Sequence, residues 1–289
     1  MKLVVIVPTY GRKAQVARLL RQLEAQSRAP DEVIVTAPDE THVEPYEGQN
    51  FLTSRVFGRT GLSTQRNTAL AVALDRFDII TFFDDDFIPA DDYLARVVEA
   101  FERNPDFAVV MGRVVADGAK SAGLDWETGL AALRSAKAEP GAPQVVDHVG
   151  AYGCNMSIRS SVVGDLRFDE RLPLYGWQED IDFSSQLRRR GRVVCLPALL
   201  GVHLGVKSGR VSGVRFGYSQ VMNPIYLIRK GSVPARFALE LMARNLIANL
   251  VKSLWPEPHV DRRGRLKGNL LAACHVAMNR IEPEYILKI

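Results

Sequence analysis

The stretch Ile79-Ile80-Thr81-Phe82-Phe83-Asp84-Asp85-Asp86 decides the fold, because a largely apolar run ends abruptly in three carboxylates. Such a run predicts a buried β-strand. Adjacent carboxylates at its end repel one another unless a cation neutralises them. The sequence therefore predicts a strand whose carboxyl end opens onto a site for a hard divalent ion. An acidic turn that caps the following helix is the alternative, since carboxylates also stabilise helix N-termini.

Strands and helices alternate around this stretch. Residues 3–7 form an apolar, β-branched run, and residues 14–27 repeat apolar residues at helical spacing. The same patterns predict strands at 32–36, 50–56 and 107–115, and helices at about 63–74 and 91–103. Strands that alternate with helices favour a parallel, doubly wound α/β sheet.

The second half of the chain is less regular. Residues 116–144 are rich in Gly and Ala and show no clear periodicity, and residues 145–152 resemble a strand. A helix is predicted from Glu179 to Arg190, followed by a strand at 192–196. From about Phe216 onward the pattern predicts only helices.

The composition is that of a globular protein: of 289 residues, 47% are hydrophobic and 24% are charged. The three cysteines are widely spaced, which disfavours a disulfide framework or a thiolate zinc site and favours a reducing, cytoplasmic location. The N-terminal apolar run is too short for a signal peptide. The uncharged stretch 193–206 falls short of the roughly 20 residues of a membrane-spanning helix.

Charge is distributed unevenly along the chain. Residues 1–206 carry 23 Lys and Arg against 28 Asp and Glu, whereas residues 207–289 carry 14 against 5. The basic C-terminal part favours an anionic partner such as a phospholipid surface or nucleic acid, with a solvated basic face as the alternative.

Polar residues that follow strands are the candidates for chemistry, because ligands of open α/β sheets bind beyond the carboxyl ends of the strands. The first strand leads into Pro8-Thr9-Tyr10-Gly11-Arg12, the helix of 179–190 opens with Glu179-Asp180, and His203 follows the strand of 192–196 by a short loop. Each feature alone also fits an ordinary loop residue, helix cap or structural histidine.

Other phosphate and metal motifs are absent from the sequence. No GxGxxG follows the first strand, and Val206 interrupts the Walker A pattern before Lys207, which disfavours a dinucleotide oxidoreductase or a kinase. An EF-hand loop is excluded, because Ile88 and Pro89 stand where it needs Asp or Asn and Gly.

Taken together, five segments resemble the inverting family 2 glycosyltransferases, and they occur in the same order and at similar spacing. The resemblance covers residues 1 to about 210. It implies the GT-A fold, a nucleotide-diphosphate sugar as donor, a Mn²⁺ or Mg²⁺ ion, and inversion at the anomeric carbon. The segments are Val5 to Arg12, Gly61 to Asn67, Asp84 to Asp86, Gly153 to Met156, and Glu179-Asp180.

The resemblance also implies residue roles. Asp180 is the expected catalytic base with Glu179 beside it, and Asp86 and His203 are the expected metal ligands. Asp84 would face the ribose or sugar and Asp85 the donor sugar. The family usually ends its second strand with an Asp that pairs with the nucleobase; here Asp39, slightly further along, is the candidate. The remaining donor-binding candidates are Pro8, Thr9, Tyr10, Arg12 and Arg66, with the basic loop Lys207 to Arg210 as a further source of positive charge.

The C-terminal part loosely resembles the helical tail of rhamnosyltransferase-like and exopolysaccharide members. We therefore expect a catalytic domain at 1–210 and a helical extension at 211–289. A polar stripe on an apolar helix suggests peripheral membrane association through 232–255, at the inner face of the membrane. Packing on the catalytic domain or in a homodimer is the alternative. The stripe consists of Arg236, Glu240, Arg244 and Lys252.

The predicted function is transfer of a sugar from a UDP, dTDP or GDP sugar to a hydroxyl of a saccharide or lipid-linked acceptor in cell-surface polysaccharide synthesis, with no nucleic-acid partner. One alternative is a sugar-1-phosphate nucleotidyltransferase, although the Gly-rich, Arg- or Lys-bearing signature expected after strand one is missing. The other is a non-catalytic carbohydrate- or membrane-binding module.

Overall fold

The structure is a computed structural model that describes residues 1–138, 145–207, 212–255 and 257–289. The strands are β1 (Leu3–Pro8), β2 (Glu32–Ala37), β3 (Leu52–Phe57), β4 (Ile79–Phe83), β5 (Phe87–Pro89), β6 (Phe107–Asp117), β7 (Val146–Asp147), β8 (Asn155–Arg159) and β9 (Arg192–His203). The helices are α1 (Lys13–Glu24), α2 (Leu62–Ala73), α3 (Tyr93–Arg103), α4 (Trp126–Ala138), α5 (Glu179–Leu187), α6 (Gly213–Lys230), α7 (Ala235–Leu254) and α8 (Arg262–Ala277).

The strands form one mixed sheet in the order β3-β2-β1-β4-β8-β6-β9-β5, with β7 paired to β9 outside this path. The first half is parallel, as predicted: β1 pairs with β2 and β4, and β2 pairs with β3. The expectation of a wholly parallel sheet is wrong, because β8 lies between β4 and β6 and runs antiparallel to both. Strand-helix alternation predicts parallel crossovers, but the long excursion through α4 lets the chain return in the opposite direction.

Strand β9 corrects two further expectations. It extends to His203, so this histidine is the last residue of a strand and not part of a following loop. Pro197 lies inside the strand, where the register with β6 shifts between Gly112 and Arg113. A proline is tolerated at such an irregularity, although it reads in the sequence as a strand end.

Two other segments differ from the prediction. Residues 126–138 form α4, which the Gly- and Ala-rich sequence did not reveal, and the predicted strand at 145–152 is reduced to Val146–Asp147. The helix expected to end at Arg190 ends at Leu187.

The core has two layers, one on each face of the sheet. Along β1, Leu3, Val5 and Val7 pack with α1 and α3, whereas Val4 and Ile6 pack with α2 on the opposite face. This alternation follows from the period of two in a strand. Every residue of β1, β2 and β4 is buried, as expected for strands covered by helices on both faces.

The C-terminal part is helical, as predicted. Helix α6 packs closely on α8, and α7 contacts both. Among the described residues, no helix combines the length and apolarity needed to cross a membrane. The predicted boundary between domains, at 210/211, lies outside the described residues and stays a prediction.

Candidate active site

The loop after β1 meets the acidic triplet after β4. These strands are parallel neighbours, so their carboxyl ends open at the same edge of the sheet. Thr9 Oγ1 donates to Asp85 Oδ2 at 2.7 Å, and Arg12 Nη1 donates to Asp85 Oδ1 at 2.9 Å. Burial raises the pKa of Asp85 to about 7, although the Arg12 charge opposes this rise. Asp85 therefore contacts the β1 loop, and its predicted contact with the donor sugar stays a prediction.

Asp84, Asp86 and His203 form a group that fits a metal ion. One ligand atom of each lies within 4.8 Å of the others, and His203 Nε2 is 3.4 Å from Asp86 Oδ1. Strand pairing explains the convergence, because Phe87, the residue after Asp86, lies opposite His203 in the β5–β9 ladder. Two carboxylate oxygens and an imidazole nitrogen are ligands that Mn²⁺ accepts, and Mg²⁺ takes the carboxylates readily. Asp86 and His203, the predicted ligands, thus lie where a divalent cation would satisfy them, together with Asp84, for which the predicted contact was the ribose or sugar.

The far nitrogen of His203 is held by two residues that the sequence analysis missed. His203 Nδ1 lies 2.9 Å from Asp117 Oδ1 and 3.1 Å from the Tyr152 hydroxyl. Burial lowers the pKa of His203, but hydrogen bonds with Asp117 and Asp86 outweigh this and raise it to about 10. A carboxylate behind a histidine orients metal-binding imidazoles in many sites. Asp117 lies opposite His203 in the β6–β9 pairing. The sequence does not show this register, so Asp117 could not be predicted.

Arg66 links the metal group to the predicted catalytic pair. Its guanidinium is fully buried and forms an ion pair with Glu179. Nη2 donates to Asp84 Oδ1 at 3.0 Å and to the Gly153 carbonyl at 2.9 Å. The aromatic rings of Phe82 and Phe168 lie within 5.6 Å of its central carbon. Arg66 is thus a buried positioning residue, and its predicted proximity to the nucleotide stays a prediction.

Glu179 and Asp180 open α5 but have different environments. Glu179 is buried against Arg66, and burial raises its pKa well above the usual range, even though Arg66 opposes this rise. Asp180 is only half-buried; its carboxylate accepts from the backbone N–H groups of Gly153 and Ile181 at 2.7 and 2.8 Å. Burial raises the pKa of Asp180 as well, although Arg66 and the two backbone donors counteract it.

Gly153 is required by close packing between these groups. A Cβ atom at this position would lie 2.8 Å from Arg66 Nη1 and 2.9 Å from Asp180 Cβ. Because the guanidinium is buried and bonded on both sides, it cannot move away. The glycine of the Gly153-Cys154-Asn155-Met156 segment therefore permits Asp180 and Arg66 to approach each other closely.

The loop that leads into Glu179 has an unusual backbone. Leu174, Gly176 and Gln178 have φ values of 61°, 61° and 73°. Two of the three carry side chains, and such conformations are costly and cluster at functional sites. Gln178 is buried, and neither atom of its side-chain amide has a partner among the described residues.

Aromatic residues alternate in sequence with these three left-handed residues. Tyr175 and Trp177 lie 6.0 and 5.9 Å, centroid to centroid, from Phe216 of α6. Asn223 of the same helix donates to the Trp177 carbonyl at 2.7 Å. The loop that leads into Glu179-Asp180 is therefore held by α6.

The remaining candidates for binding the sugar donor lie at the end of β1 and around His42. Pro8 ends β1, and Arg12 Nη2 also donates to the Val206 carbonyl at 3.1 Å. Tyr10 is half-exposed and stacks on His42 at 4.6 Å, and His42 Nε2 lies 3.8 Å from Asp39 Oδ2. His42, which sequence reasoning missed, thus brings Tyr10 and Asp39 together.

The predicted basic loop is described only at its start. Lys207 Nζ donates to the Gly118 carbonyl at 2.9 Å. Residues 208–210 of that prediction lie outside the described residues.

The chain is similar to known proteins in both sequence and fold. Residues 4–163 match the description "Glycosyl transferase family 2". The sequence has no significant match among curated proteins.

Three solved structures are similar in fold. TarS from S. aureus superposes with a TM-score of 0.53 at 17% identity; the match covers 88% of this chain and 44% of TarS, so this chain spans less than half of that protein. TarS 1–349 in complex with UDP-GlcNAc has a TM-score of 0.54 at 16% identity, with 98% and 89% of the two chains covered. The mannosyltransferase PcManGT from Pyrobaculum calidifontis, in complex with GDP-Man and Mn²⁺, has a TM-score of 0.54 at 19% identity, with 99% and 85% covered. The predicted GT-A architecture with a helical C-terminal extension is confirmed.

Proposed function

We propose, from the premise that the chain belongs to glycosyl transferase family 2, that it transfers a sugar from a nucleoside diphosphate to an acceptor hydroxyl with inversion at the anomeric carbon. The observation that carries the proposal is the link made by Arg66: one buried guanidinium contacts Asp84 of the cation group and Glu179 of the acidic pair. The same family assignment disfavours a sugar-1-phosphate nucleotidyltransferase. The rhamnosyltransferase-like or exopolysaccharide subtype stays a prediction.

The donor would bind along the carboxyl edge of the sheet. The nucleobase and ribose would lie against the Tyr10, His42 and Asp39 group and the Thr9 to Arg12 loop, and the diphosphate against Asp84, Asp86 and His203. The bound UDP-GlcNAc and GDP-Man of two structural neighbours support a nucleotide sugar as donor. A Mn²⁺ or Mg²⁺ ion held by Asp86, His203 and Asp84 would supply positive charge that stabilises the leaving diphosphate.

Asp180 is the proposed general base. Its two backbone hydrogen bonds fix the orientation of its carboxylate, and it is more accessible than Glu179, whose carboxylate is turned to Arg66. Asp180 would accept the proton of the acceptor hydroxyl as that oxygen forms a bond to the anomeric carbon. The bond from the anomeric carbon to the diphosphate oxygen breaks in the same step, and the nucleoside diphosphate leaves with the electron pair. A single in-line displacement of this kind inverts the anomeric configuration.

Arg66 and Glu179 would position this machinery without contacting the substrate. Neither group has appreciable exposed surface. Arg66 fixes Asp84 relative to Glu179, and Glu179 precedes the base in α5. Their charges balance each other in a buried setting, where removing one partner is costly.

The acceptor would bind beside the aromatic loop. Tyr175 and Trp177 of the loop that leads to Asp180 pack near Phe216, and aromatic side chains of this kind bury large areas at interfaces. The left-handed backbone at Leu174 and Gln178 supports a functional role for the loop. We propose a saccharide or lipid-linked acceptor in cell-surface polysaccharide synthesis.

The two predicted domains, 1–210 and 211–289, would then share the acceptor site. Besides the Asn223 contact, Lys230 of α6 bonds to Asp169 and Asp182 at 2.7 Å each. Asp182 lies one turn from Glu179 in α5. The helical extension thus supports the segment that carries the base.

A panel of UDP, dTDP and GDP sugars tests the proposal. The full chain is incubated with Mn²⁺ and each donor, and released nucleoside diphosphate is measured; one donor class is expected to be hydrolysed slowly or transferred to an added saccharide. NMR of a transferred product gives the anomeric configuration, and retention would contradict the mechanism. Formation of nucleotide sugar from sugar 1-phosphate and a nucleoside triphosphate would instead indicate the nucleotidyltransferase. If no donor is turned over or bound, the chain is a binding module.

A further inference from the structure

Helix α7 directs the amide side chains of Asn245 and Asn249 toward the neighbouring helices. Asn249 is fully buried; its Nδ2 donates to Gln220 Oε1 of α6 at 2.7 Å and to Asn269 Oδ1 of α8 at 2.9 Å. Gln220 in turn donates to Asn245, one turn before Asn249. An amide network therefore joins the three C-terminal helices where a helix bundle normally has apolar side chains.

The outward face of α7 carries exposed apolar side chains, concentrated from Ile247 to Trp255, with Leu239 two turns earlier. In the first half of the helix the same face also carries Arg236, Glu240 and Arg244. Ile247, Leu250, Val251 and Leu254 recur at intervals of three or four residues, which places them on one side of the helix. Scattered exposed apolar residues are normal, but a stripe of them on one side of a helix marks an interaction surface. The stripe, with the exposed fraction of each residue, is Leu239 44%, Ile247 63%, Leu250 58%, Val251 49%, Leu254 68% and Trp255 74%.

Exposed cations lie on the same helix and on its neighbour. Arg236, Arg244 and Lys252 are exposed on α7, and Arg263 and Lys267 are exposed on the adjacent α8. Over residues 212–289 the chain carries 12 Lys and Arg against 5 Asp and Glu. Glu240 is the one acidic residue of α7, and it is paired with Arg244 at 2.6 Å.

We infer that the outward face of α7 docks on a membrane surface that contains anionic phospholipid. Exposed apolar side chains that end in Trp255, with exposed cations on the same helix and on its neighbour, fit a helix that lies in the interface plane, where apolar side chains reach the acyl chains and cations meet the headgroups. The helix does not meet the requirements for a membrane-spanning segment.

Charge distinguishes this occupant from a second copy of the chain. A symmetric dimer through α7 would bring two basic surfaces together, with one acidic residue per helix to offset them. An anionic bilayer complements the same cations and also accepts the apolar stripe. If the proposed acceptor loop is correct, docking would hold it near the lipid surface, because α6 contacts both α7 and Trp177.

Vesicle flotation tests the inference with the full chain. We expect the protein to float with vesicles of phosphatidylglycerol and phosphatidylcholine, and to float at least tenfold less with phosphatidylcholine alone. The triple variant Ile247→Ser, Leu250→Ser, Leu254→Ser should lose at least tenfold of this binding. Leu52→Ser is the matched control, because Leu52 is 69% exposed on the edge strand β3, and it should bind like the wild type.

A second variant separates charge from apolar contact. Arg236→Gln, Arg263→Gln, Lys267→Gln should weaken binding to phosphatidylglycerol and reduce its sensitivity to salt. Thermal unfolding of each variant verifies that it is folded.

Two outcomes would overturn the inference. One is the absence of binding to anionic vesicles, or binding that the serine triple variant retains. The other is a wild-type dimer in light scattering that this variant converts to a monomer, which would assign the face to a second copy. Donor hydrolysis without vesicles is measured separately, so a failure of the sugar-transfer proposal remains distinguishable.

Discussion

At the carboxyl edge of the sheet, charged side chains are buried and bonded to one another, whereas in α7 amides are buried and apolar side chains face outward. Arg66 has no exposed surface and contacts Asp84, Glu179 and a carbonyl. Leu254, in contrast, is 68% exposed. Both arrangements have a cost in an isolated chain, since buried charges lose hydration and exposed apolar groups order water. The comparison fits the two proposed ligand surfaces, one that would bind a cation and a diphosphate and one that would bind an anionic lipid surface.

The largest effect is expected when the cation group is broken. Asp86→Ala removes a carboxylate that faces His203, and chelation of divalent metal removes the cation itself. Because a metal contributes several kcal/mol of charge stabilisation, transfer should fall by about 10³-fold or more in both cases.

Calorimetry with UDP, dTDP and GDP gives the binding measurement for this prediction. Added Mn²⁺ should restore the chelated wild type but not the variant. If Asp86→Ala leaves nucleotide affinity and metal dependence unchanged, the acidic triplet is only a turn that caps the following segment.

The second effect concerns the base. Asp180→Asn keeps the shape of the side chain and cannot accept the proton, so transfer should fall by at least about 10²-fold while donor binding is retained. Glu179→Gln is the matched comparison, because it changes the neighbouring carboxylate. If Asp180→Asn transfers at the wild-type rate and Glu179→Gln does not, the roles of the two residues are reversed; if neither matters, the base lies elsewhere.

The places of these two acidic groups in the fold could be predicted because each lies at the boundary of a recognisable element, whereas their roles stay predictions. Asp84 to Asp86 follow an apolar strand, and Glu179-Asp180 begin a helix. His203 was found as well, although its position at the end of β9 was not, because Pro197 hides the continuation of the strand. Asp117 and Tyr152 could not be found, since they reach His203 through strand register and not through nearby sequence.

The C-terminal part was predicted to be helical, but neither the number of its helices nor their orientation was predicted. A helix with apolar residues on most of its positions does not reveal which side faces its neighbours. The amide network of Gln220, Asn249 and Asn269 decides the orientation, and it joins residues up to 49 positions apart. The polar stripe of Arg236, Glu240, Arg244 and Lys252 therefore shares the exposed side of α7 with apolar residues.

A smaller effect is expected behind the cation group. Asp117→Asn weakens the hydrogen bond to His203 Nδ1, and such changes lower metal affinity or activity by about 10- to 100-fold. Asn can still accept the 3.0 Å hydrogen bond from the Ala119 N–H, so the turn that Asp117 caps should persist. Titration of Mn²⁺ against transfer rate measures the shift in the apparent metal constant. An unaltered constant would mean that Asp117 does not orient His203.

The smallest effects are expected in α7. There, replacing a polar residue should destabilise the protein more than replacing the leucine next to it. Asn249→Ala removes the donor to the side-chain oxygens of Gln220 and Asn269, and an unsatisfied buried polar group costs about 1–3 kcal/mol. Leu250→Ala removes more apolar volume, but from an exposed position where substitutions usually change stability by less than about 0.5 kcal/mol. Urea unfolding of both variants, with unchanged m-values as the check on two-state behaviour, gives the difference. A large loss of stability in Leu250→Ala would show that its face is packed in the folded protein, and the distinction between the two sides of α7 would fail.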